Sequence, residues 1–329
     1  MKTILITGVN GFIGSHLARR FISLGHRVKG IVRPTSELSL IDGLELELFF
    51  GDITLPQSLR DPTRGSDIVV HVAALASDWG PYRRFYQVNV EGTRNTAGAA
   101  LQEGVNRFVY IGTTAVHGFG GFADLEESAA MARTPFHYCE TKKIAEQWLF
   151  NRVRGMEVTS VRPGNVYGPD DHTFIDKYID ALIRGRLAYV DGGRRLTAPT
   201  YIQNLVDGTV AACLEPKAAG EAFFITDGLD ITWRAFTERF ADELGVRPPK
   251  LSVPYPAAYT LGYLAEKLYR VAGSSSPPAI TRYRACNAGR DYHFSIEKAG
   301  RLLGYSPAVD FDASVARTVH WYREKYGEG

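Results

Sequence analysis

The stretch TILITGVNGFIGSHL, residues 3–17, decides the fold of this chain. Its apolar run at residues 4–6 predicts a short strand, and the helical spacing of the apolar residues after residue 14 predicts a helix. A further apolar run at residues 27–32 predicts the next strand. Three glycines occupy the turn between the first strand and the helix at three-residue spacing: Gly8, Gly11 and Gly14.

Each of these glycines has a physical reason to be there. Gly8 permits a tight turn, Gly11 lets the backbone approach a phosphate because no Cβ stands in the way, and Gly14 lets the helix pack closely on the strand. The start of a helix carries unpaired N–H groups and positive dipole density, which favour a pyrophosphate. Because one strand precedes the turn and another follows the helix, the pattern predicts a dinucleotide site.

Composition places the chain among ordinary globular proteins. Its 329 residues, 45% of them apolar and 22% charged, are enough to bury a large core. The formal net charge of +2 is too small to indicate a nucleic-acid partner. The three cysteines are far apart and suggest neither a disulfide framework nor a metal site, so we expect a reducing, cytoplasmic location. The first strand begins at residue 3, and we therefore expect no signal peptide.

The most apolar helix candidate covers residues 255–272. It contains Glu266, Lys267 and Arg270, so we expect no membrane-spanning segment, although peripheral membrane contact remains an alternative. One side of this helix is apolar, and we expect that side to pack on the rest of the domain. The alternatives are that it forms a wall of an apolar substrate pocket or contacts a membrane surface.

Short apolar runs alternate with helical stretches over the first half of the chain. Further strands are predicted at residues 46–50, 67–72, 107–111 and 158–161, and helices at 55–60, 85–102 and 141–154. This alternation predicts an α/β protein with a doubly wound parallel Rossmann sheet. Ligands of such sheets bind beyond the carboxyl ends of the strands.

The second half of the chain is less regular and mostly helical. It contains one further predicted strand at residues 221–226, and helices at 174–184, 203–214, 233–244, 255–272, 296–303 and 313–326. We therefore expect a dinucleotide-binding domain at 1–170, to which 199–228 return. A smaller, mainly helical substrate-binding domain is expected at 171–198 and 229–329.

Tyr138 and Lys142 stand four residues apart at the start of a helix, so their side chains share one face. A tyrosine with an ordinary pKa of about 10 must lose roughly three units to act near neutrality, which requires about 4 kcal/mol. A lysine ammonium one turn away supplies much of that energy. Thr113 or Thr114, at the end of the fifth strand, is the candidate for holding a substrate oxygen beside Tyr138.

These motifs, in this order and over nearly the whole length, resemble the extended short-chain dehydrogenases/reductases of the NAD-dependent epimerase/dehydratase superfamily. The similarity is to the branch of 3β-hydroxysteroid dehydrogenases, sterol-4-carboxylate dehydrogenases and dihydroflavonol reductases. The matching motifs are TGVNGFIG (7–14), GDI (51–53), HVAA (71–74), VNVEGT (88–93), the threonine pair, YCETK (138–142), RPGNVYGP (162–169) and PTYIQNLVD (199–207).

The resemblance implies roles for individual residues. Tyr138 would be the general acid/base, Lys142 would lower its pKa and bind the nicotinamide ribose, and Thr113 would orient the substrate oxygen. Further cofactor contacts are implied for Gly8, Gly11, Phe12, Ile13, Gly14, Asp52, Ile53, Ala73, Ala74, Asn89, Pro163 and Val166, and substrate contacts for Thr114, Asn165 and Tyr167. His117 stands where relatives commonly have tyrosine, and it receives no catalytic task. A homodimer is implied through the helices that begin near residues 85 and 141.

The end of the second strand bears on the choice of cofactor. An acidic residue there would accept the ribose 2′-hydroxyl of NAD, whereas an arginine pairs with the 2′-phosphate of NADP. Arg33 occupies this place, with Thr35 and Ser36 as further donors, so we expect NADP. Glu37 lies just beyond and keeps NAD as the alternative.

Together the residues predict an NAD(P)-dependent dehydrogenase/reductase. Its expected substrate is a hydrophobic 3-hydroxy or 3-keto compound, steroid-like or acyl-derived, because PTYIQNLVD is closer to the steroid and flavonol branch than to the nucleotide-sugar enzymes. One alternative is a nucleotide-sugar 4-epimerase or dehydratase that retains its NAD. The other is a non-catalytic dinucleotide-sensing protein, against which the complete set of Thr113, Tyr138 and Lys142 argues.

Overall fold

The computed structural model describes residues 1–327. Its central element is a sheet of seven strands, all paired in parallel. Across the sheet the strands lie in the order Ala222–Ile225, Glu157–Pro163, Arg107–Ile111, Ile68–His71, Thr3–Thr7, Arg27–Val32 and Glu47–Phe50. The predicted doubly wound parallel sheet is therefore confirmed, and its order reverses beside Thr3–Thr7, where such sheets bind ligands.

The inner strands are buried because helices cover both faces of the sheet. Every residue of Ile68–His71 and of Arg107–Ile111 is buried, as expected for parallel strands between two layers. Successive side chains point to opposite faces. Ile4 and Ile6 accordingly belong to one hydrophobic cluster, and Leu5 belongs to the other.

Most helices follow the predicted pattern with shifted ends, and the helix Arg282–Gly289 was not predicted. In the first half of the chain they are Phe12–Ser23, Arg60–Thr63, Tyr82–Phe85, Gly92–Gln102 and His137–Arg152. In the second half they are Ile175–Ile183, Ile202–Leu214, Trp233–Leu244, Tyr255–Val271, Arg282–Gly289, Glu297–Leu303 and Phe311–Tyr326. The helix predicted at 55–60 is instead a 3₁₀ turn, Pro56–Ser58, followed by one short helix. The helix predicted at 85–102 includes a wide π-type turn, Tyr86–Glu91.

Residues 1–327 also contain four two-stranded sheets outside the central sheet. They pair Asn165–Tyr167 with Pro199–Tyr201, Phe122–Leu125 with Tyr292–Phe294, Leu196–Thr197 with Ile231–Thr232, and Tyr189–Val190 with Ser252–Val253. Strands of two to four residues leave no readable periodicity in the sequence, so these pairs were not predicted. The strand Ala222–Ile225 lies at the edge of the central sheet, and the division into two domains stays a prediction.

The helix Tyr255–Val271 does not bury its apolar side. Leu261, Leu264, Leu268 and Val271 are between 52% and 87% exposed. The helix packs instead through the opposite side, where a Cβ on Gly262 would lie 2.8 Å from the backbone of the helix Arg282–Gly289. The expectation that the apolar side packs on the domain is therefore wrong, and peripheral membrane contact stays a prediction. None of the helices within residues 1–327 is both long enough and apolar enough to cross a bilayer.

Candidate active site

The glycine turn has the geometry that its spacing predicted. Gly8 has a φ of +68°, and a Cβ there would lie 3.0 Å from the Cα of Ala73. A Cβ on Gly14 would lie 2.2 Å from the carbonyl oxygen of Gly8, which no relaxation of a flexible side chain could relieve. Gly8 and Gly14 are thus required by the fold itself.

Gly11 differs from the other two glycines. Its backbone is extended, with φ −85° and ψ 172°, and a Cβ there would meet only the Gly8 oxygen at 3.3 Å. Gly11 precedes the helix Phe12–Ser23, whose start has no side-chain cap and no acidic residue in its first turn. The helix start is therefore able to receive an anion, and the cradle that a Gly11 side chain would fill fits a dinucleotide pyrophosphate. Phe12 and Ile13 are partly buried and pack against the core.

The residues predicted to contact the adenosine half follow the second and third strands of the chain. Arg33 and Glu37 are exposed in the loop after the second strand, which Asn10 ties to the glycine turn by donating to the Glu37 carbonyl at 3.1 Å. The Asp52 carboxylate accepts from the backbone N–H and the hydroxyl of Thr54, each at 2.8 Å. Ile53 is buried against Gly92.

Asn89 holds two segments of the fold together. Its side chain is buried and exchanges hydrogen bonds with the backbone of Leu75, at 2.7 and 3.3 Å. It also donates to the Thr141 hydroxyl at 3.1 Å. Ala73 and Ala74 lie just before this contact and are partly exposed. Asn89 therefore connects the segment after strand Ile68–His71 to the helix that carries Tyr138.

Tyr138 lies in the first turn of the helix His137–Arg152, which begins four residues earlier than predicted. Burial raises the pKa of Tyr138 above its ordinary value of 10.0, and an interaction with the Thr113 side chain acts in the opposite direction. Thr113 follows the strand Arg107–Ile111, and its hydroxyl also accepts from the backbone N–H of Ala115 at 3.2 Å. The structure thus brings Thr113 to Tyr138, whereas no interaction of Thr114 with Tyr138 affects that pKa.

Lys142 is buried one turn further along the helix. Its ammonium donates to the carbonyl oxygen of Ile111 at 2.5 Å and lies 4.2 Å from the centroid of the Tyr110 ring. Burial lowers the pKa of Lys142 to about 7, although the carboxylate of Glu146 acts to raise it. The predicted lowering of the Tyr138 pKa by Lys142 is not found in this arrangement, because the loss of solvation of the phenolate dominates.

Glu146, one helical turn beyond Lys142, belongs to a buried ionic cluster with Arg162. Arg162 donates to the fully buried carboxylate of Glu146, with the Arg162 Nε 2.8 Å from Oε1. It also donates to the Nε2 of His117 at 3.1 Å, while the His117 Nδ1 is 3.3 Å from the carbonyl oxygen of Ala130. Burial and the Arg162 charge lower the pKa of His117 to about 4, so this histidine is neutral at physiological pH. Glu146 and Arg162 were not singled out by the sequence reasoning.

Two clefts open on either side of Tyr283, which lines both. The first contains Tyr138 together with Ser77, Asp78, Trp79, Gly80, Phe85, Pro135, Phe136, His137, Glu266, Arg270 and Arg282. The second contains Thr113 and Thr114 together with Ala115, Phe119, Gly164, Asn165, Ala198, Asn287 and Tyr292. Tyr138 thus lines one cleft and Thr113 the other, and Tyr283 belongs to both linings.

Some residues of the segment after Arg162 line the second cleft, and others are buried in the core. Pro163 ends its strand, and Val166 pairs with Thr200. Asn165 lies in the second cleft, where its amide oxygen accepts from Asn287 at 3.1 Å. Tyr167 is fully buried, with its hydroxyl 2.5 Å from that of Ser314. The structure therefore does not support a substrate contact for Tyr167.

Several of the cleft residues that sequence reasoning missed come from the C-terminal part. Tyr283 and Asn287 are four residues apart on the unpredicted helix Arg282–Gly289, so both reach the same cleft. Arg270 and Glu266 lie on the preceding helix. This part of the chain carries no family motif, and a helical pattern in RYRACNAG was the one available signal. Residues 1–327 hold no group of three or more histidine, cysteine, aspartate or glutamate side chains placed to bind a metal ion.

Residues 4–225 match the family of NAD dependent epimerases and dehydratases. The chain belongs to this family. The Rossmann sheet, the glycine turn and the Tyr138 helix all lie in the matched region, and the family predicted from the motifs is confirmed.

Curated relatives extend the match over almost the whole chain. The 4-hydroxy-2-methyl-3-oxo-4-farnesyl-3,4-dihydroquinoline-1-oxide ketoreductase of Stigmatella aurantiaca is 30% identical over 94% of this chain and 93% of its own length. A 2-alkyl-3-oxoalkanoate reductase of Stenotrophomonas maltophilia is 30% identical over 95% and 97%. The decarboxylating sterol-4-alpha-carboxylate 3-dehydrogenase of Mus musculus is 29% identical over 97% and 90%.

Among solved structures, the UDP-glucose 4-epimerase of Thermotoga maritima shares the fold, with a TM-score of 0.80 over 98% of this chain and 99% of that chain, at 20% identity. The family and the names of the relatives identify this chain as an NAD-dependent oxidoreductase of the extended short-chain dehydrogenase/reductase type. An enzyme is thus indicated rather than a dinucleotide sensor.

The glycine turn predicts a contrast between two substitutions. Gly14→Ala should lower the free energy of unfolding by about 3 kcal/mol or more, because its Cβ collides with backbone. Gly11→Ala should cost about 1 kcal/mol at most and yet weaken dinucleotide binding at least about tenfold, because its Cβ enters the phosphate cradle. Gly98→Ala, which meets nothing within 4 Å, is the control and should bind normally. Denaturant unfolding and cofactor titration measure both effects. A Gly11→Ala protein that binds like the parent would contradict the cradle.

Lys142 predicts a pH dependence of stability. Its pKa is about 7 in the folded protein and near 10.5 when solvated, so between these values the unfolded chain binds more protons. Raising the pH from 7 to 10 should therefore stabilise the native protein relative to Lys142→Met, by at most about 1.4 kcal/mol per pH unit. Urea unfolding at a series of pH values measures the difference. A difference that stays constant over this interval would show that Lys142 is not desolvated.

Proposed function

We propose that this oxidoreductase interconverts a secondary alcohol and a ketone in a hydrophobic 3-hydroxy or 3-keto compound, with Tyr138 as general acid/base. The observation that carries the proposal is the meeting of the Thr113 and Tyr138 side chains at the carboxyl edge of the sheet. The glycine turn opens at the same edge, because both follow the ends of parallel strands. The proposed acid/base group and the proposed oxygen-orienting hydroxyl would therefore lie beside the crevice in which this fold binds a dinucleotide.

In the reducing direction the Thr113 hydroxyl would hold the ketone oxygen, and the Tyr138 hydroxyl would give that oxygen its proton. A phenol whose pKa is raised by burial keeps this proton until a stronger base, the developing alkoxide, comes within reach. Lys142 would bind the nicotinamide ribose from the same helix face, as the resemblance implies. The bound nicotinamide supplies the hydride for reduction or accepts it in the reverse direction.

The cleft lining and the relatives support this substrate class. Trp79, Phe85, Phe136 and Tyr283 form an aromatic wall on part of the cleft beside Tyr138, and the rest of its lining is mostly polar. An apolar chain or ring system can pack on the aromatic part. The three curated relatives are named for reactions at a ketone or a carbinol, on substrates with farnesyl, alkyl or sterol parts. Two of these names also specify a carboxylate on the carbon next to the reacting one.

For the cofactor we propose NADP. The exposed Arg33 lies at the end of the second strand, where an arginine meets the 2′-phosphate, and the Ser36 hydroxyl accepts from its backbone N–H at 3.1 Å. Glu37, held near the glycine turn through its carbonyl, is the residue that would favour NAD instead. The family alone supports NAD dependence and does not decide between the two.

The nucleotide-sugar 4-epimerase or dehydratase remains the second candidate, since it would use the same tyrosine and lysine. An enzyme of that kind copurifies with NAD and consumes no added cofactor. The homodimer that the resemblance implies also stays a prediction.

Substitutions at the two hydroxyls test the mechanism. Tyr138→Phe should lower kcat at least about 100-fold with cofactor binding within about twofold, because only the proton donor is lost. Thr113→Ala should lower kcat/KM at least about tenfold, and Thr114→Ala, its neighbour in the same cleft, should have a much smaller effect. Steady-state kinetics with a panel of hydrophobic ketones measures these ratios. Undiminished turnover by Tyr138→Phe would defeat the mechanism, and a larger loss in Thr114→Ala would reassign the orienting hydroxyl.

Cofactor titration tests the role of Arg33. Arg33→Ala should weaken NADP binding about tenfold or more and leave NAD binding within about twofold, because only NADP carries the 2′-phosphate. Glu37→Ala is the matched exposed variant in the same loop and should not weaken NADP binding. Equal losses for both cofactors in Arg33→Ala would count against the NADP preference.

A further inference from the structure

The cleft beside Tyr138 is charged as well as aromatic. Asp78, Glu266, Arg270 and Arg282 all line it. A wholly apolar substrate would cover these groups without replacing the water that solvates them, which is unfavourable. The charged groups therefore indicate a ligand that has a polar or charged part as well as an apolar one.

Two of the guanidinium groups near the cleft already form ion pairs with carboxylates. Arg282 donates through Nε and Nη2 to the same oxygen of Glu266, at 2.9 and 2.7 Å, and its backbone N–H donates to the other oxygen at 2.7 Å. Arg284 lies with its Nε 2.8 Å from a carboxylate oxygen of Asp78, which also accepts from Thr281 at 2.8 Å. Each carboxylate thus has its own arginine.

Arg270 is left with the excess positive charge. Its nearest carboxylate oxygen is the Glu266 oxygen at 3.8 Å that Arg282 already occupies. Together with Arg284, which lies outside the cleft lining, three guanidinium groups share two carboxylates, so this charged cluster carries one positive charge in excess. His137, which also lines the cleft, has its Nδ1 3.2 Å from the Gly80 carbonyl oxygen.

The Arg270 guanidinium is also held in place. It lies 5.6 Å from the ring centroid of Trp79, within cation–π range. Trp79 is itself fixed, because its indole N–H donates to the Ser274 carbonyl at 3.1 Å and its ring meets Tyr269 edge-on. The Arg270 side chain is 55% exposed at the mouth of the cleft, so its remaining N–H groups are able to receive a ligand.

We propose that Arg270 binds a carboxylate of the substrate, so that the enzyme acts on a 3-oxo or 3-hydroxy acid rather than on a neutral ketone or alcohol. This inference rests on the proposed function. The carboxylate of such an acid is two carbon–carbon bonds from the reacting carbon, and Tyr138 and Arg270 line the same cleft. In this arrangement Tyr138 exchanges a proton with the oxygen on C3, and Arg270 pairs with the carboxylate. The aromatic wall contacts the apolar remainder of the substrate.

The test compares one acid with its own ester. Oxidation of 3-hydroxydecanoate and of methyl 3-hydroxydecanoate by the full chain with NADP gives a kcat/KM ratio for each variant. The parent should prefer the acid at least about tenfold, and Arg270→Gln should lose this preference through a higher KM for the acid, with kcat and the ester little changed. Arg270→Lys should restore part of it. Lys267→Gln removes a charge from the same helix outside the cleft lining and should leave the preference unchanged.

Binding separates failure of this inference from failure of the proposed function. In Tyr138→Phe, which should not turn over, calorimetric titration with 3-hydroxydecanoate in the presence of NADP should show binding that the added Arg270→Gln change weakens about tenfold. If that binding is seen while neither compound is oxidised by the parent, the proposed function fails and the carboxylate site stands. Equal handling of acid and ester by the parent, or equal losses for both in Arg270→Gln, would overturn the carboxylate site. Arg270-dependent binding of UDP in place of the acid would point to a nucleotide sugar and would overturn it as well.

Discussion

The close approach of the first helix to the first strand is the constraint on which the site depends. The helix can begin where it does because Gly14 brings no Cβ against the Gly8 carbonyl. This contact aims the uncapped helix start at the crevice, next to the point where the strand order reverses. The neighbouring strands then place Ala73 against the turn and Thr113 at the same edge of the sheet. The packing of Gly14 against Gly8 thus helps to position residues that are a hundred positions apart in the chain.

Burial also affects the ionisation of the residues in the site. Taking Tyr138 and Lys142 out of water disfavours the charged form of each, which raises the pKa of the phenol and lowers that of the ammonium to about 7. Lys142 therefore changes charge within the physiological range, and the buried Glu146 carboxylate one turn away favours its charged form. Glu146 is in turn paired with Arg162 at the end of the strand that leads into the second cleft. The charges of Lys142, Glu146 and Arg162 thus extend from the Tyr138 helix to the strand that leads into the second cleft.

Sequence reasoning predicted those features that follow a regular spacing of residues or a family motif. The parallel sheet, the glycine turn and the positions of Thr113 and Tyr138 could be read because strand periodicity, glycine spacing and motif order are local signals. The burial of Tyr167 and the exposed leucines of the helix Tyr255–Val271 could not, because both depend on which face another element covers. The cleft residues Arg270, Tyr283 and Asn287 were missed for the same reason. They meet Tyr138 and Thr113 only through the tertiary fold, and nothing in their local sequence marks them.

The central claim is that the protein carries out a net oxidation or reduction at a carbonyl or carbinol carbon. The most direct measurement follows deuterium from NADPH labelled at C4 of the nicotinamide during reduction of a hydrophobic 3-ketone or 3-oxo acid, with both hydride positions tested in separate samples. The account predicts one NADP formed per alcohol, with the label from one of the two positions on the new carbinol carbon. Turnover without net consumption of NADPH, or product without label from either position, would contradict it.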